Sequence, residues 1–260
     1  MDPSKAEIQA KGHGVYMIQE VIELLEAAGH VCCVTDVKAL RYYGAACVSN
    51  DWKICVPDSG YLAAMQLIDS EPHKYERVDA PMPQLNSLIH TYSRYRCTQE
   101  DRKTLGFYIM PSSEDFLEDL DDNAIERSAN NIPYPKLIVF AQNLVSTQKW
   151  DRLTELVDGM DLSLEWGQQH LRLGTLSERE VEYARVKMEK YAKSLVRLGR
   201  SEPGSISGLR NSGIDKGQKW AQIVSQKQHR AAKHYNAANW ETIYRRKGSS
   251  DPRLKQDRPV

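Results

Sequence analysis

The chain has 260 residues, enough for one large domain or two small ones. Thirty-five Lys and Arg balance thirty-five Asp and Glu, so the molecule as a whole offers no electrostatic case for nucleic acid or acidic lipid. Hydrophobic residues make up 41% of it, no apolar run is long enough to span a bilayer, and Met1 to Glu7 lack the apolar core of a signal peptide. The expectation is a soluble cytoplasmic protein with no membrane partner. Five cysteines (Cys32, Cys33, Cys47, Cys55, Cys97) are odd in number and match no zinc spacing, so they read as buried reduced thiols.

Val15, Ile18, Val21, Ile22, Leu25 and Ala28 recur at three- and four-residue spacing, with Glu20, Glu23 and Glu26 opposite. This predicts an amphipathic helix stopped at Gly29. His30 to Thr35 reads as a first strand, and Asp36 as the cap of a short helix through Tyr43. Gly44 permits a tight turn, and Pro57 ends the strand that follows. Within that strand Trp52, Ile54 and Val56 alternate with Asp51, Lys53 and Cys55. One face is therefore apolar, and the other presents an acid, a base and a thiol. Asp58 or Ser59 caps the next helix, which carries Leu62, Ala63, Met65, Gln66 and Leu67. This helix–strand–helix–strand–helix order suits an α/β core.

Tyr75 to Val78 fits either a strand or a loop, and Ala80 to Pro83 reads as a loop. Leu88 to Cys97 alternates, with His90, Tyr92, Arg94 and Arg96 on one face. A charged turn at Gln99 to Lys103 leads back through Leu105 to Met110, which predicts a hairpin. Gln99 to Glu126 holds nine acids against two bases, a solvated connector or a docking surface for a basic segment. Asn130 to Pro135 is extended, and Lys136 to Val145 reads as a strand start running into a helix.

From Gln148 onward the pattern is helical. Trp150, Leu153, Leu156 and Val157 share a face, and Asp158-Gly159 breaks it. Asp158, Asp161, Glu165 and His170 include acids at helical spacing, but Asp158 and Asp161 read as caps joining two helices rather than as metal ligands. Ser177 and Glu180 make a capping box ahead of a long helix. Arg200 to Gly217, with four glycines and four serines, reads as a loop over a cleft. The tail from about Lys227 has nine Lys or Arg against three acids. Tyr235, Trp240 and Tyr244 interleave with them, a pattern that can bind single-stranded nucleic acid. Because the total charge cancels, the reading adopted is that the tail lies across the acidic Gln99–Glu126 region.

A glycine turn at Gly44, then a strand carrying Asp51 and position 53, resembles the signature of the nucleotidyltransferase fold. Ser87 to Tyr92, Pro133-Tyr134-Pro135, Val139 to Gln142 and Asp158 to Leu162 resemble stretches of fungal nucleotidyltransferase-like proteins. The resemblance runs from about Gln19 to Asp251. It implies two carboxylates, one residue apart, that grip divalent metal with a third acid from a later strand. Here the second position is Lys53, whose ammonium repels a cation, and Thr104 to Met110 carry no acid. The family's metal chemistry therefore reads as lost, with no metal and no cofactor expected.

The resulting expectation is an α/β (α+β) fold: a small mixed sheet of nucleotidyltransferase type over residues 1–147, with a helical half over 148–260 packed on it. If the strands neighbour each other as in the resembled fold, Asp51, Lys53, His90, Tyr92 and Arg94 converge as a catalytic group. Tyr43, Trp52, Tyr108 and Trp166 are the candidates to hold a substrate. Such a group can polarise a carbonyl, orient a carboxylate and move a proton. The bland alternative is an Asp51–Lys53 ion pair with a hydrogen-bonded His90. The function read from this is metal- and redox-cofactor-free isomerisation or pericyclic cyclisation of a small, partly apolar molecule in fungal secondary metabolism. The alternatives are a metal-dependent nucleotidyltransferase and a non-catalytic interaction protein.

Overall fold

A computed structural model describes residues 14–49, 51–79, 81–82, 87–99, 106–117, 120–199, 215–236 and 238–255. The expected loop over Arg200 to Gly217 falls outside these as far as residue 214, and so does the turn from residue 100 to 105. Helix α1 (Val15–Ala27) buries Ile18, Val21, Ile22 and Leu25, the stripe that its spacing dictates, and Gly29 ends it at φ 82°. β1 (Cys33–Val34), α2 (Asp36–Tyr42), β2 (Asp51–Val56) and α3 (Tyr61–Asp69) follow in the expected order. After β3 (Tyr75–Val78), β4 (Arg94–Cys97) and β5 (Gly106–Pro111) form the expected hairpin.

These strands make one mixed five-stranded sheet in the order β1-β2-β5-β4-β3. β2 and β5 run parallel, with Asp51 opposite Gly106, Lys53 opposite Tyr108 and Cys55 opposite Met110; the other pairings are antiparallel. β6 (Ile125–Arg127) and β7 (Pro133–Pro135) pair separately. The helices then run α4 (Leu137–Ser146), α5 (Trp150–Met160), α6 (Leu164–His170), α7 (Glu178–Arg197), α8 (Lys216–Ser225) and α9 (Lys227–Ala232). α4 begins directly after Pro135-Lys136, so the strand start expected within Lys136–Val145 is instead helix from its first turn. The capping box at Ser177 and Glu180 opens α7.

Trp52, Ile54 and Val56 join the main core, which runs without a break from α1 through Phe107, Phe140 and Leu153 to Trp220. The other face of β2 is not the open polar face that alternation alone suggests. Cys55 is fully buried in a second cluster with Cys33, Tyr108, Met110, Leu117 and Leu120, because the segment after β5 folds back over it. Burial pushes the Cys33 and Cys55 thiols well up, and Cys32 up to about 12. Among the described residues no helix is long and apolar enough to cross a membrane.

The basic tail crosses the acidic region at one described point, Arg253 on Glu126 (3.0 Å). Two other cations of the described tail go elsewhere. Arg230 grips the buried Asp158 through two bonds of 2.7 Å, and Lys227 reaches Asp161 (2.5 Å). Asp161 stands at the C-cap of α5 as expected, with φ 53°, and also ties down α9, whereas Asp158 lies inside α5 and anchors α9 instead of capping. The reason is burial: Asp158 has no exposed surface, and a buried carboxylate needs a partner charge.

α5 passes very close to the Gly44 turn, where Gly44 has φ 88°. A Cβ on Gly159 would lie 2.4 Å from the Tyr43 carbonyl and 2.8 Å from the Ala45 nitrogen, both backbone atoms that cannot swing aside. Gly159→Ala is expected to cost about 2 kcal/mol or more. Gly174→Ala, with nothing within 4 Å of the new methyl, should change stability by under about 0.5 kcal/mol. Urea denaturation of both variants, with m unchanged, measures the difference.

Candidate functional site

The five residues expected to converge do not form one group. Asp51 and Arg94 pair with each other at 3.0 Å. Their strands do not touch; β5 lies between them, and the ion pair crosses it over Gly106, where a Cβ would sit 2.0 Å from Asp51 Oδ1. Glycine is thus required at 106 so that the two side chains can meet. The expected Asp51–Lys53 pair is absent, because Lys53 turns instead to Asp36. His90 is not on a strand. Leu88 to Cys97 splits into a one-turn helix at Ile89–Thr91 and the short strand β4. The turn aims the His90 ring at α7, where Nε2 lies 3.0 Å from Ser194 Oγ. Burial holds its pKa below the ordinary value.

Lys53 and Tyr92 do face a common space, a polar cleft of about 610 Å³. Its walls come from the start of α2, the Ile89 turn, the end of β5, the α4–α5 junction and the middle of α7. Two carboxylates sit in it. Asp36 opens α2 with a left-handed backbone (φ 56°) and is held by Lys53 and by Arg152 Nε at 3.3 Å. It is therefore an ion-pairing residue and makes no side-chain cap. Asp115 follows β5 and is buried. It accepts from Lys149 Nζ (2.6 Å) and Thr35 Oγ1 (3.1 Å), with Cys55 Sγ at 3.9 Å. Burial pushes both carboxyls up. For Asp115, Lys149 and its hydrogen bond more than offset this, and for Asp36, Lys53 does, so both end below the usual carboxylate range.

Two further groups give the cleft its chemistry. Burial, helped by the like charge of Lys149, pulls Lys187 down from 10.5 to about 8. Its Nζ lies 3.3 Å from the Tyr183 hydroxyl, which donates to the Glu114 carbonyl at 2.7 Å. The Tyr92 hydroxyl is buried and has no hydrogen-bond partner among the described residues, and burial with the nearby Glu114 charge holds it strongly protonated. Gln148, at the rim, has φ 54°. Left-handed backbone at Asp36 and Gln148 on one cleft is strain of the kind that collects at binding sites.

The aromatic candidates scatter. Tyr43 is buried in the core and donates to the Pro135 carbonyl (2.6 Å). Trp52 is buried with Lys38 Nζ 4.6 Å from its ring centroid, and burial lowers Lys38 to about 8. Tyr108 packs behind Met110 in the second cluster, with Arg94 over its ring. Trp166 stacks on His170 on α6 and does not line the cleft. Asp36, Asp115, Lys149 and Lys187 are the residues sequence reasoning missed. Lys187 carried a signal: it falls between Tyr183 and Tyr191 at four-residue spacing, on the inward stripe of α7.

The donors do not suit a divalent cation. Asp51 is bound to Arg94, position 53 is a lysine bound to Asp36, and Tyr108 stands opposite Lys53 on β5. Among the described residues no group of three or more His, Cys, Asp or Glu is placed to hold a metal. Comparison of the chain with known protein families gives no match, and comparison with curated proteins gives none either.

Asp115 supplies stability that is present above the unfolded-state carboxylate pKa of about 3.9 and is lost as pH falls below it, because its folded pKa is depressed. Lys149→Met strands that buried charge and is expected to cost about 3–5 kcal/mol at pH 7. The cost should shrink toward pH 4, where the carboxyl can protonate. Asp115→Asn combined with Lys149→Met should recover most of the loss. Chemical denaturation at the two pH values checks all three statements.

Proposed function

We propose that this cleft binds a small, partly apolar molecule bearing a carbonyl or carboxylate and isomerises or cyclises it by proton transfer, without metal or redox cofactor. Lys187 is the observation that carries the reading. An amine titrating at about 8 is a working base and acid near neutral pH, and an ordinary lysine is neither. Its neutral form takes a proton from the carbon beside the substrate carbonyl. The electron pair moves onto oxygen, where the Tyr92 hydroxyl can donate a hydrogen bond to it. The lysine ammonium then returns the proton to another carbon of the enolate; alternatively the enolate carbon adds to a conjugated C=C of the same molecule, whose π pair takes the proton back from the ammonium, so no oxidant or reductant is consumed. On the sequence resemblance alone, we assign such chemistry to fungal secondary metabolism.

The test is deuterium exchange, followed by NMR, into a panel of unsaturated ketones and keto acids in D₂O. Wild-type protein should speed exchange of at least one member. Lys187→Met should slow that exchange at least ~100-fold, the scale of general acid–base catalysis. Tyr92→Phe should slow it less, and the rate limb near pH 8 should vanish with Lys187. No exchange above buffer across the panel would sink the reading.

One observation favours a second reading, metal-dependent nucleotidyl transfer: a carboxylate, Asp115, does follow the later strand β5 and reaches the cleft beside Lys53. Calorimetry with ATP, CTP, GTP and UTP plus Mg²⁺ separates the two. Heat that appears only with Mg²⁺ supports nucleotidyl transfer, and its absence dismisses it.

A further inference from the structure

Another cavity, of about 410 Å³, is lined by residues between Phe116 and Ala124, by α4, by His170 and Arg172, and by Arg179 at the start of α7. Its character is the reverse of the polar cleft. Phe116, Leu117, Leu120, Ile138 and Val139 supply an apolar wall, of which Ile138 is the exposed edge. Among the described residues, the charged side chains lining it are Arg172 and Arg179, with the His170 ring beside them. Arg179 lies over the Phe116 ring, 5.1 Å from the centroid. The Arg172 side chain makes no ion pair among the described residues, while its backbone N–H is fixed by Gln142 (2.7 Å).

Asn143 adds a second, independent observation. It sits inside α4, where asparagine is a poor helix former. It is 97% buried, lines this cavity, and its amide nitrogen has no hydrogen-bond partner among the described residues. A buried donor left unpaired opposes folding unless something else satisfies it. The amide turns easily about χ2, so an acceptor atom inside the cavity can meet it.

From this combination we propose that the cavity is a binding site for a small amphipathic carboxylic acid. Its apolar body lies against Leu117, Leu120 and Val139, its carboxylate is drawn by Arg172 and His170 at the mouth, and an acceptor oxygen takes the Asn143 N–H. A cavity with apolar walls and a few converging polar groups is the usual form of a small-ligand site. The site shares no lining residue with the polar cleft and does not depend on the chemistry assigned there.

The probe is decanoate, below its micelle concentration, titrated into the full-length protein by calorimetry, with decyltrimethylammonium as the charge-reversed control. Decanoate should bind one-to-one and the cation at least tenfold more weakly. Arg172→Glu, a change at an exposed position, should weaken decanoate at least tenfold, and Asn143→Leu likewise if the variant folds by circular dichroism. Lys187→Met should leave the affinity within threefold. Three results would each overturn the proposal: no binding of decanoate, equal binding of both amphiphiles, or full affinity retained in Arg172→Glu. Loss of binding in Lys187→Met would place the ligand in the polar cleft instead and would equally refute a separate site.

Discussion

The Asp115 carboxylate is the point on which this structure turns. It lies out of water just past the end of β5 and collects bonds from Lys149 at the head of α5 and from Thr35 at the β1–α2 junction. Three segments far apart in sequence are thus tied to one charge. A carboxylate so enclosed is tolerable only while its cation stays in place. Lys149 is itself half-buried, and the Asp115 charge keeps it firmly protonated against its partial desolvation. Each partner makes the other's burial possible, and the geometry of the polar cleft follows from where they meet.

This arrangement explains why the cleft holds four lysine and arginine side chains without being an anion sink. Lys53 and Arg152 are committed to Asp36, and Lys149 to Asp115. Lys187 lies in the same field with no carboxylate within ion-pairing distance among the described residues, so it feels mainly desolvation and its cationic neighbour. An amine left in that position gives up its proton readily. Between pH 8 and 10.5 the unfolded chain holds that proton more tightly than the folded one, so Lys187 itself favours folding as pH rises through this window.

Much of the fold was legible in the sequence because its signals are local. Helical spacing in Val15 to Leu25, the Gly44 turn, a strand over Asp51 to Val56, the β4–β5 hairpin and the Ser177–Glu180 box are all present, though the second face of β2 is covered rather than open. The site was less legible because its contacts are not local. Nothing in Asp51-Trp52-Lys53 says that Lys53 will turn to Asp36, or that Arg94 will reach Asp51 across a strand whose glycine leaves room. Alternation through Leu88 to Cys97 placed His90 on a strand, but the chain makes a helical turn there first and carries the ring to Ser194. Asp115 sits in a run of acids that looks solvated from composition alone, and its burial depends on Lys149, thirty-four residues away.

The two thiols beneath this site are a built-in gauge of its integrity. Cys33 and Cys55 stand directly opposite each other on neighbouring strands, wholly enclosed, beside a permanent negative charge. In that setting the reactive thiolate is almost unpopulated, so alkylating agents should find both sulfurs silent in the native molecule. Each becomes reactive only when the chain over β5 lifts away. The rate at which they are modified would therefore count openings of the cleft floor, in a protein that needs no added label to report them.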